Sequence, residues 1–248
     1  MRFSLICPTN DRWKCEHWLL PSLAMQRFRD FEIVFVEATL GSFRSAAAAL
    51  NAGAAKARGD YLVFLHNDVE LIDENVLGSL SDELSGMDFI VAGAAGCRAV
   101  RGKPWRKKTF TNLVHGEHKE HPGRSTPLAA AMPCETLDEC FFVVPRTVWA
   151  KRGILEFFSS WHLYAVEYSL WANVQRQGSV VAVPVNIWHH SSGGSFDHSY
   201  YDTLRVLAKM YRKWYPVLHT PMGAWPTNLL FLNLRIFAEI IRRKFMKG

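Results

Sequence analysis

The chain has 248 residues, 49% of them apolar, enough to bury a full core in one large domain or two small ones. Its 29 Lys and Arg against 23 Asp and Glu leave a formal charge of +6, which suits an anionic partner and leaves nucleic acid, anionic lipid and a phosphate-bearing substrate open. The 5 cysteines contain no C-x-x-C pair and indicate neither a disulfide framework nor a zinc ribbon, and no apolar run approaches the roughly 20 residues of a membrane span. The N-terminus MRFSLICPTND turns polar too soon for a secretory signal, so a cytoplasmic location is expected.

Residues 3–7 (FSLIC) form an apolar run ended by Pro8, Thr9, Asn10 and Asp11, the pattern of a central parallel strand. Residues 16–28 carry Trp18, Leu19, Leu23 and Met25 at helical spacing, with Pro21 in a first turn or at a kink. FEIVFV (31–36) predicts a second strand, closed by Glu37, and a right-handed crossover between the two. The alanine-rich residues 46–57 predict a helix that stops at Arg58 and Gly59, and YLVFLH (61–66) a buried strand running into Asn67 and Asp68. Open α/β sheets bind ligands beyond the carboxyl ends of their strands, so this polar cluster is aimed at substrate. No glycine follows the first strand, which argues against a dinucleotide fold, and no G-x-x-x-x-G-K phosphate loop occurs.

A helix is expected over 74–84 and a strand over 89–95. Residues 98–124 are basic, histidine-bearing and weakly periodic, and predict a surface loop, either solvated or a mobile lid facing phosphates. His115, His118 and His121 within it lack the spacing of a closed metal site. LDECFFVV (137–144) predicts a strand with two acids at its start, before a short helix. Residues 167–177 place Leu170, Trp171 and Val174 at helical spacing, with Glu167 in the first turn and Gly178 where a C-cap belongs. Residues 180–188 predict a strand or strand pair ending at His189 and His190, then a flexible SSGGSFD turn. A basic amphipathic helix covers 200–214. The last segment gathers Leu229, Leu230, Leu232, Ile236, Phe237, Ile240 and Ile241 largely on one face, ahead of Arg242, Arg243, Lys244 and Lys247. Such a helix either packs on the domain or lies in a membrane interface.

In order, SLICPTND, EIVFVE, NAGAAKARGDYLVFLHND, LDECFFVVPRTVW, YAVEYSLWANVQRQG and PVNIWHHSSGGS resemble the landmarks of family-2 inverting glycosyltransferases over residues 3–214, and YRKW resembles an ending of members from bacterial surface-polysaccharide synthesis. The resemblance implies an α/β chain of the GT-A fold: a Rossmann-like, mostly parallel central sheet flanked by helices, with a C-terminal helical appendage. The catalytic domain would span residues 1–200, with a nucleotide-binding half (1–96) and an acceptor-side half (97–200), before a helical extension (201–248).

It further implies that Pro8, Thr9, Asn10, Glu37, Asn51, His66 and Asn67 surround the nucleotide. His66 stands where the first Asp of the D-x-D signature is expected, which leaves Asp68 as the motif's one carboxylate and the expected metal ligand. His190, or its neighbour His189, would complete the shell of a divalent cation, Mn²⁺ or Mg²⁺, bridging the donor diphosphate. Asp138 would contact the donor sugar or the acceptor. Glu167, in register with Leu170 and Gly178, would be the general base, with Val166 and Ser169 replacing its usual neighbours. The implied reaction moves a sugar from a nucleotide-sugar donor to a hydroxyl of a glycan or lipid-linked acceptor, with no nucleic acid involved, and the basic surface and amphipathic tail would suit an anionic membrane surface at the inner face of the plasma membrane. The rival is a catalytically inactive nucleotide-sugar or glycan-binding module of the same fold, kept open by His66 and Ser169.

Overall fold

Three parallel strands organise the first part of the chain. In the computed structural model, which describes residues 1–39, 41–156, 159–191 and 197–246, β1 (Phe3–Thr9) pairs in register with β2 (Phe31–Glu37) on one side and β3 (Tyr61–Leu65) on the other. Most of the SSGGSFD turn and Lys247 lie outside those residues. Both faces of β1 are covered, which is why it reads as a continuous apolar run rather than an alternating one. α1 (Arg12–Lys14), a π-helical turn (Cys15–Leu19) and α2 (Leu20–Ala24) join β1 to β2. Pro21 lies in the first turn of α2, directly after the π turn, where its missing N–H interrupts an α-helical ladder.

α3 (Ala46–Ala54) starts at Ser45, whose hydroxyl accepts from the Ala48 amide at 3.2 Å. It lies flush on the sheet because Gly53 has no side chain: a Cβ there would stand 2.5 Å from Ile6 and 2.8 Å from Val36. At Gly59, entering β3, a Cβ would stand 2.6 Å from the Phe3 and Ser4 backbone.

Beyond β3 come β4 (Val69–Leu71), α4 (Val76–Leu84), β5 (Val91–Gly93), β6 (Ala95–Val100), β7 (Lys103–Thr111), β8 (Val114–His115), β9 (Ser125–Thr126), β10 (Met132–Pro133), β11 (Thr136–Leu137), β12 (Phe141–Pro145) and α5 (Arg146–Trp149). Then follow α6 (Tyr164–Gln175), β13 (Val180–Ala182), β14 (Ile187–His189), α7 (His198–Tyr211), β15 (Val217–Thr220), β16 (Gly223–Pro226) and α8 (Leu229–Met246). Among the described residues the central sheet has seven strands in the order β10-β13-β5-β12-β3-β1-β2, parallel at the β3-β1-β2 edge and mixed beyond it, because β12 runs antiparallel to both its neighbours. Helices flank it, as in a Rossmann-like α/β layer.

The basic segment expected to be a loop is instead a hairpin, β6 and β7, turning at Gly102 with φ +72°. Most of its Lys and Arg side chains stay in water, and ladder hydrogen bonds to β6 rather than an apolar face make it a strand. The C-terminal segment also holds a hairpin, β15 with β16, which no periodicity announced. α6, α7, β15, β16 and α8 close on an apolar cluster that includes Leu170, Leu204, Leu207, Leu218, Trp225 and Leu232. No helix among the described residues is long and apolar enough to cross a membrane.

Candidate functional site

In the order β3-β1-β2 the chain leaves β1 to one side and returns to the other, a topological switch point whose crevice opens at the carboxyl ends of β1 and β3. A cavity of about 780 Å³ occupies that position. Pro8 and Asn10 line it from β1, His66, Asn67 and Asp68 from β3, and Ala38 and Thr39 from the end of β2. Leu137, Asp138 and Glu139 form another wall, the start of α6 a third, and Tyr200, Thr220 and Met222 bring the C-terminal segment to its rim.

One group of donors converges here. His66, Asp68 and His189 place one ligand atom each within 4.8 Å of one another. His189 Nε2 is 3.2 Å from Asp68 Oδ1 and 3.4 Å from His66 Nδ1. His189 reaches Asp68 because β14 pairs antiparallel with β4, setting His189 opposite Val69, and parallel with β8 on its other edge. His66 is oriented from behind by Tyr164, whose hydroxyl lies 3.0 Å from Nε2 and leaves Nδ1 facing the group. Burial, reinforced by the neighbouring His189, pulls His66 down to about 4, so it is a neutral imidazole at neutral pH. Burial works to raise Asp68, but the hydrogen bond and charge of His189, with His66 and Lys14, hold it well below the ordinary carboxylate range. Lys14 Nζ stands 3.6 Å from Asp68 Oδ2. Two imidazole rings and an ionised carboxylate suit a divalent ion with mixed nitrogen and oxygen ligands, Mn²⁺ better than Mg²⁺.

The structure reassigns several residues expected at the site. His190 does not join the group: its ring is stacked between Trp18 and Trp188, with centroids 3.8 and 3.7 Å away, and its Nε2 sits 3.0 Å from Glu70. Successive strand residues face opposite sides, so β14 can present only one of the pair to Asp68. His66, expected beside the nucleotide, lines the cavity and also falls within the candidate metal-holding group with Asp68 and His189, and its spacing of two from Asp68 was the sequence signal for that. Asn51 does not touch the cavity. Its Oδ1 accepts from Trp149 Nε1 at 3.0 Å and the Ile154 amide at 2.9 Å, and its Nδ2 donates to Ile154 O at 2.7 Å and Glu156 at 2.6 Å. That fills its bonding capacity and makes it a clamp between α3 and the segment after α5.

Thr9 is buried and ties the strand ends together: its hydroxyl accepts from Asn67 Nδ2 at 3.1 Å and the Asp11 amide at 3.2 Å. Glu37 stands outside the lining, ion-paired with Arg12 through Nε at 3.0 Å, while the next two residues face the cavity. Asp138 lines the cavity and its Oδ1 accepts from the Cys140 amide at 2.9 Å.

Glu167 departs furthest from its expected role. Only 1% of it is exposed, and it lies inside α6 rather than on the cavity. Arg152 Nη2 donates to both its oxygens, at 2.7 and 2.8 Å, and Tyr211 donates to Oε1 at 2.6 Å. The glutamate that does line the cavity is Glu139, with an Oε1 shut off from solvent and without a hydrogen-bond partner. Burial, then the charge of Asp138, raises it well above the ordinary range, against the opposing pull of the Tyr164, Leu163 and Ala165 amides. Those amides are brought round by Leu163, which holds the left-handed conformation (φ 64°) at the N-cap of α6. The acid pair at the start of LDECFFVV was the sequence signal for this residue, obscured because the family pattern has a small residue at that position.

A family model described as "Glycosyltransferase like family" matches residues 5–211. The chain belongs to that glycosyltransferase-like family. This family-2-like glycosyltransferase chain is 27% identical over 178 residues, 68% of its own length and 67% of the relative's, to "ATP synthase subunits region ORF 6" of Fuscovulum blasticum. Its GT-A fold is shared with S. aureus TarS 1-349 at a TM-score of 0.53 and 15% identity, covering 84% of this chain and 65% of that one. The mannosyltransferase PcManGT of Pyrobaculum calidifontis, solved with GDP-Man and Mn²⁺, superposes at 0.52 and 14% identity, covering 84% and 61%. GalNAc-T7, solved with UDP, GalNAc and Mn²⁺, superposes at 0.58 and 11% identity, covering 87% and 50%. At such identities the likeness is one of fold, and the glycosyltransferase chain spans less than two thirds of each of these structures.

Proposed function

We propose that the chain transfers a sugar, with inversion, from a nucleotide-sugar donor to a hydroxyl of a glycan or lipid-linked acceptor. The convergence of His66, Asp68 and His189 on a cavity of about 780 Å³ at the switch point carries this reading. Similarity in fold to structures that hold UDP-GlcNAc, or GDP-Man with Mn²⁺, supports it. Those three residues would hold a divalent cation, which when bound neutralises charge on the departing nucleoside diphosphate. Asn10 and Pro8, with Ala38 and Thr39, offer the edge for base and ribose, and Asn67 is kept in place by Thr9. Lys14 adds a cation on the diphosphate side. Asp138 meets the transferred sugar or the acceptor.

The acceptor proton goes to Glu139. A cavity-lining carboxylate with an unpartnered oxygen, its pKa raised by burial and by the charge of Asp138, is matched to that task. As it takes the proton, the acceptor oxygen bonds to the anomeric carbon and the bond to the diphosphate breaks on the opposite face. A single displacement of this kind inverts the centre.

The test is a panel of nucleotide sugars with Mn²⁺, reading thermal stabilisation, slow donor hydrolysis and the anomeric configuration of any product. Stabilisation by one donor together with its hydrolysis and an inverted product is the expected result, and a retained configuration overturns the mechanism. The locked position of Glu167 favours a second reading, a binding module without turnover. Nucleotide-dependent stabilisation with no hydrolysis of any donor identifies that case.

A further inference from the structure

α8 has two apolar faces, and among the described residues only one of them is covered. Leu232 and Ile236 are buried, with Leu229 and Ile240 packed beside them against the cluster shared with α6 and α7. On the other side Leu230, Phe231, Leu234, Phe237 and Phe245 are 68, 58, 59, 64 and 83% exposed, and Ile241 37%. At about 100° per residue these six, with Ala238, fall within an arc of about 120° along the helix. A stripe that wide is what a helix normally turns toward a core. Scattered apolar side chains are ordinary on a soluble surface, but a continuous ridge of this length marks an interaction site.

The charges around the ridge indicate its occupant. Arg235 and Arg242 border one edge of the arc, Arg235 with its guanidinium 5.5 Å from the Trp225 ring, and Arg243 and Lys244 follow at the C-terminal end. Against these four cations the helix carries one carboxylate, Glu239. A second copy of the chain is a poor partner for such a surface. Parallel packing would set the cationic ends against each other, and antiparallel packing would set them against the positive end of the partner helix. An anionic bilayer meets both demands: headgroups take the cations while Leu and Phe side chains enter the acyl boundary.

We infer that α8 docks this chain on an anionic lipid surface through Leu230, Leu234, Phe237, Ile241 and Phe245, with Arg235 and Arg242 at the headgroups. The inference stands apart from the glycosyl-transfer reading, because its readout is binding. It would also have a geometric consequence. Tyr200, Thr220 and Met222 join the cavity rim to the segment that carries α8, so docking would bring the rim close to lipid-borne acceptors.

Co-sedimentation with vesicles of phosphatidylcholine alone, and of phosphatidylcholine with phosphatidylglycerol, tests it. Wild-type chain should pellet with the anionic vesicles, less so at high salt, and remain in solution with the neutral ones. The double variant Leu234→Glu with Phe237→Glu should lose about tenfold in affinity, since each change removes a buried apolar contact at the bilayer. Both side chains are exposed, so its thermal midpoint and nucleotide-dependent stabilisation should match wild type. Absence of wild-type binding to anionic vesicles, or undiminished binding by the double variant, overturns the inference. So does a vesicle-free dimer in sedimentation equilibrium that the double variant converts to monomer, because the ridge would then be an interface between copies.

Discussion

Asp68 keeps its charge while nearly buried because a histidine and a lysine face it, and that is also the condition for holding a cation. Asp68→Ala should therefore abolish stabilisation by Mn²⁺ in a thermal melt and reduce transfer below detection. The two glutamates separate by what surrounds them. Glu139→Gln removes the proton acceptor, and kcat should fall by about 10²- to 10⁴-fold with KM nearly unchanged. Since the pKa of Glu139 is raised, wild-type kcat/KM should decline on the acid side at a pH above the usual carboxylate range, and the variant should lack that limb. Glu167→Gln leaves the half-buried Arg152 guanidinium without its counter-charge, and urea unfolding should show a loss of about 3 kcal/mol with turnover per folded molecule preserved.

At the scale of elements, the glycines of the opening motif act through contact distance. Gly59→Ala would push a methyl group into the Phe3 and Ser4 backbone, which cannot rotate aside, and should cost about 1–3 kcal/mol in denaturant unfolding. The β15–β16 hairpin is anchored by His219, whose ring lies 2.5 Å from Glu135 and 2.7 Å from Pro104 O. Burial pulls this histidine down, but the hydrogen bond and charge of Glu135 outweigh it and hold the folded pKa above 6.5. A raised histidine binds its proton more tightly when folded, so its contribution is complete below pH 6.5 and disappears as pH rises through the folded value. Wild type should lose stability over that window relative to His219→Gln, as urea midpoints measured from about pH 6 to about pH 9 would record.

For the whole molecule, cation binding and folding are linked because the three donors come from the turn after β3 and from β14, which meet only in the folded chain. Mn²⁺ at a hundredfold excess over its dissociation constant should add about 2.7 kcal/mol of stability, reversed by chelation. Mg²⁺ at equal concentration should add less, given two imidazoles in the donor set. A chain whose Asp68→Ala variant responds to Mn²⁺ as fully as wild type would bind the ion elsewhere.

What the sequence determined by itself was whatever depends on neighbours along the chain. The buried runs at FSLIC, FEIVFV and YLVFL declare their strands because a parallel strand covered on both faces needs apolar residues at every position. The glycines at 53 and 59, and the polar residues after β3, declare the switch-point site for a similarly local reason. The tertiary structure alone decided which side chains face one another. Strand parity and the pairing of β14 with β4 gave Asp68 to His189 and sent His190 to Glu70. Asn51 was claimed by a segment 103 residues away, Glu167 by Tyr211, 44 residues on, and the hairpin of charged β7 was held by its partner's backbone rather than its own pattern. The tail, legible as amphipathic, gained its second face only when α6 and α7 covered the first. Periodicity is a property of one element, whereas a base, a ligand set or an unpartnered face exists only once several elements have packed.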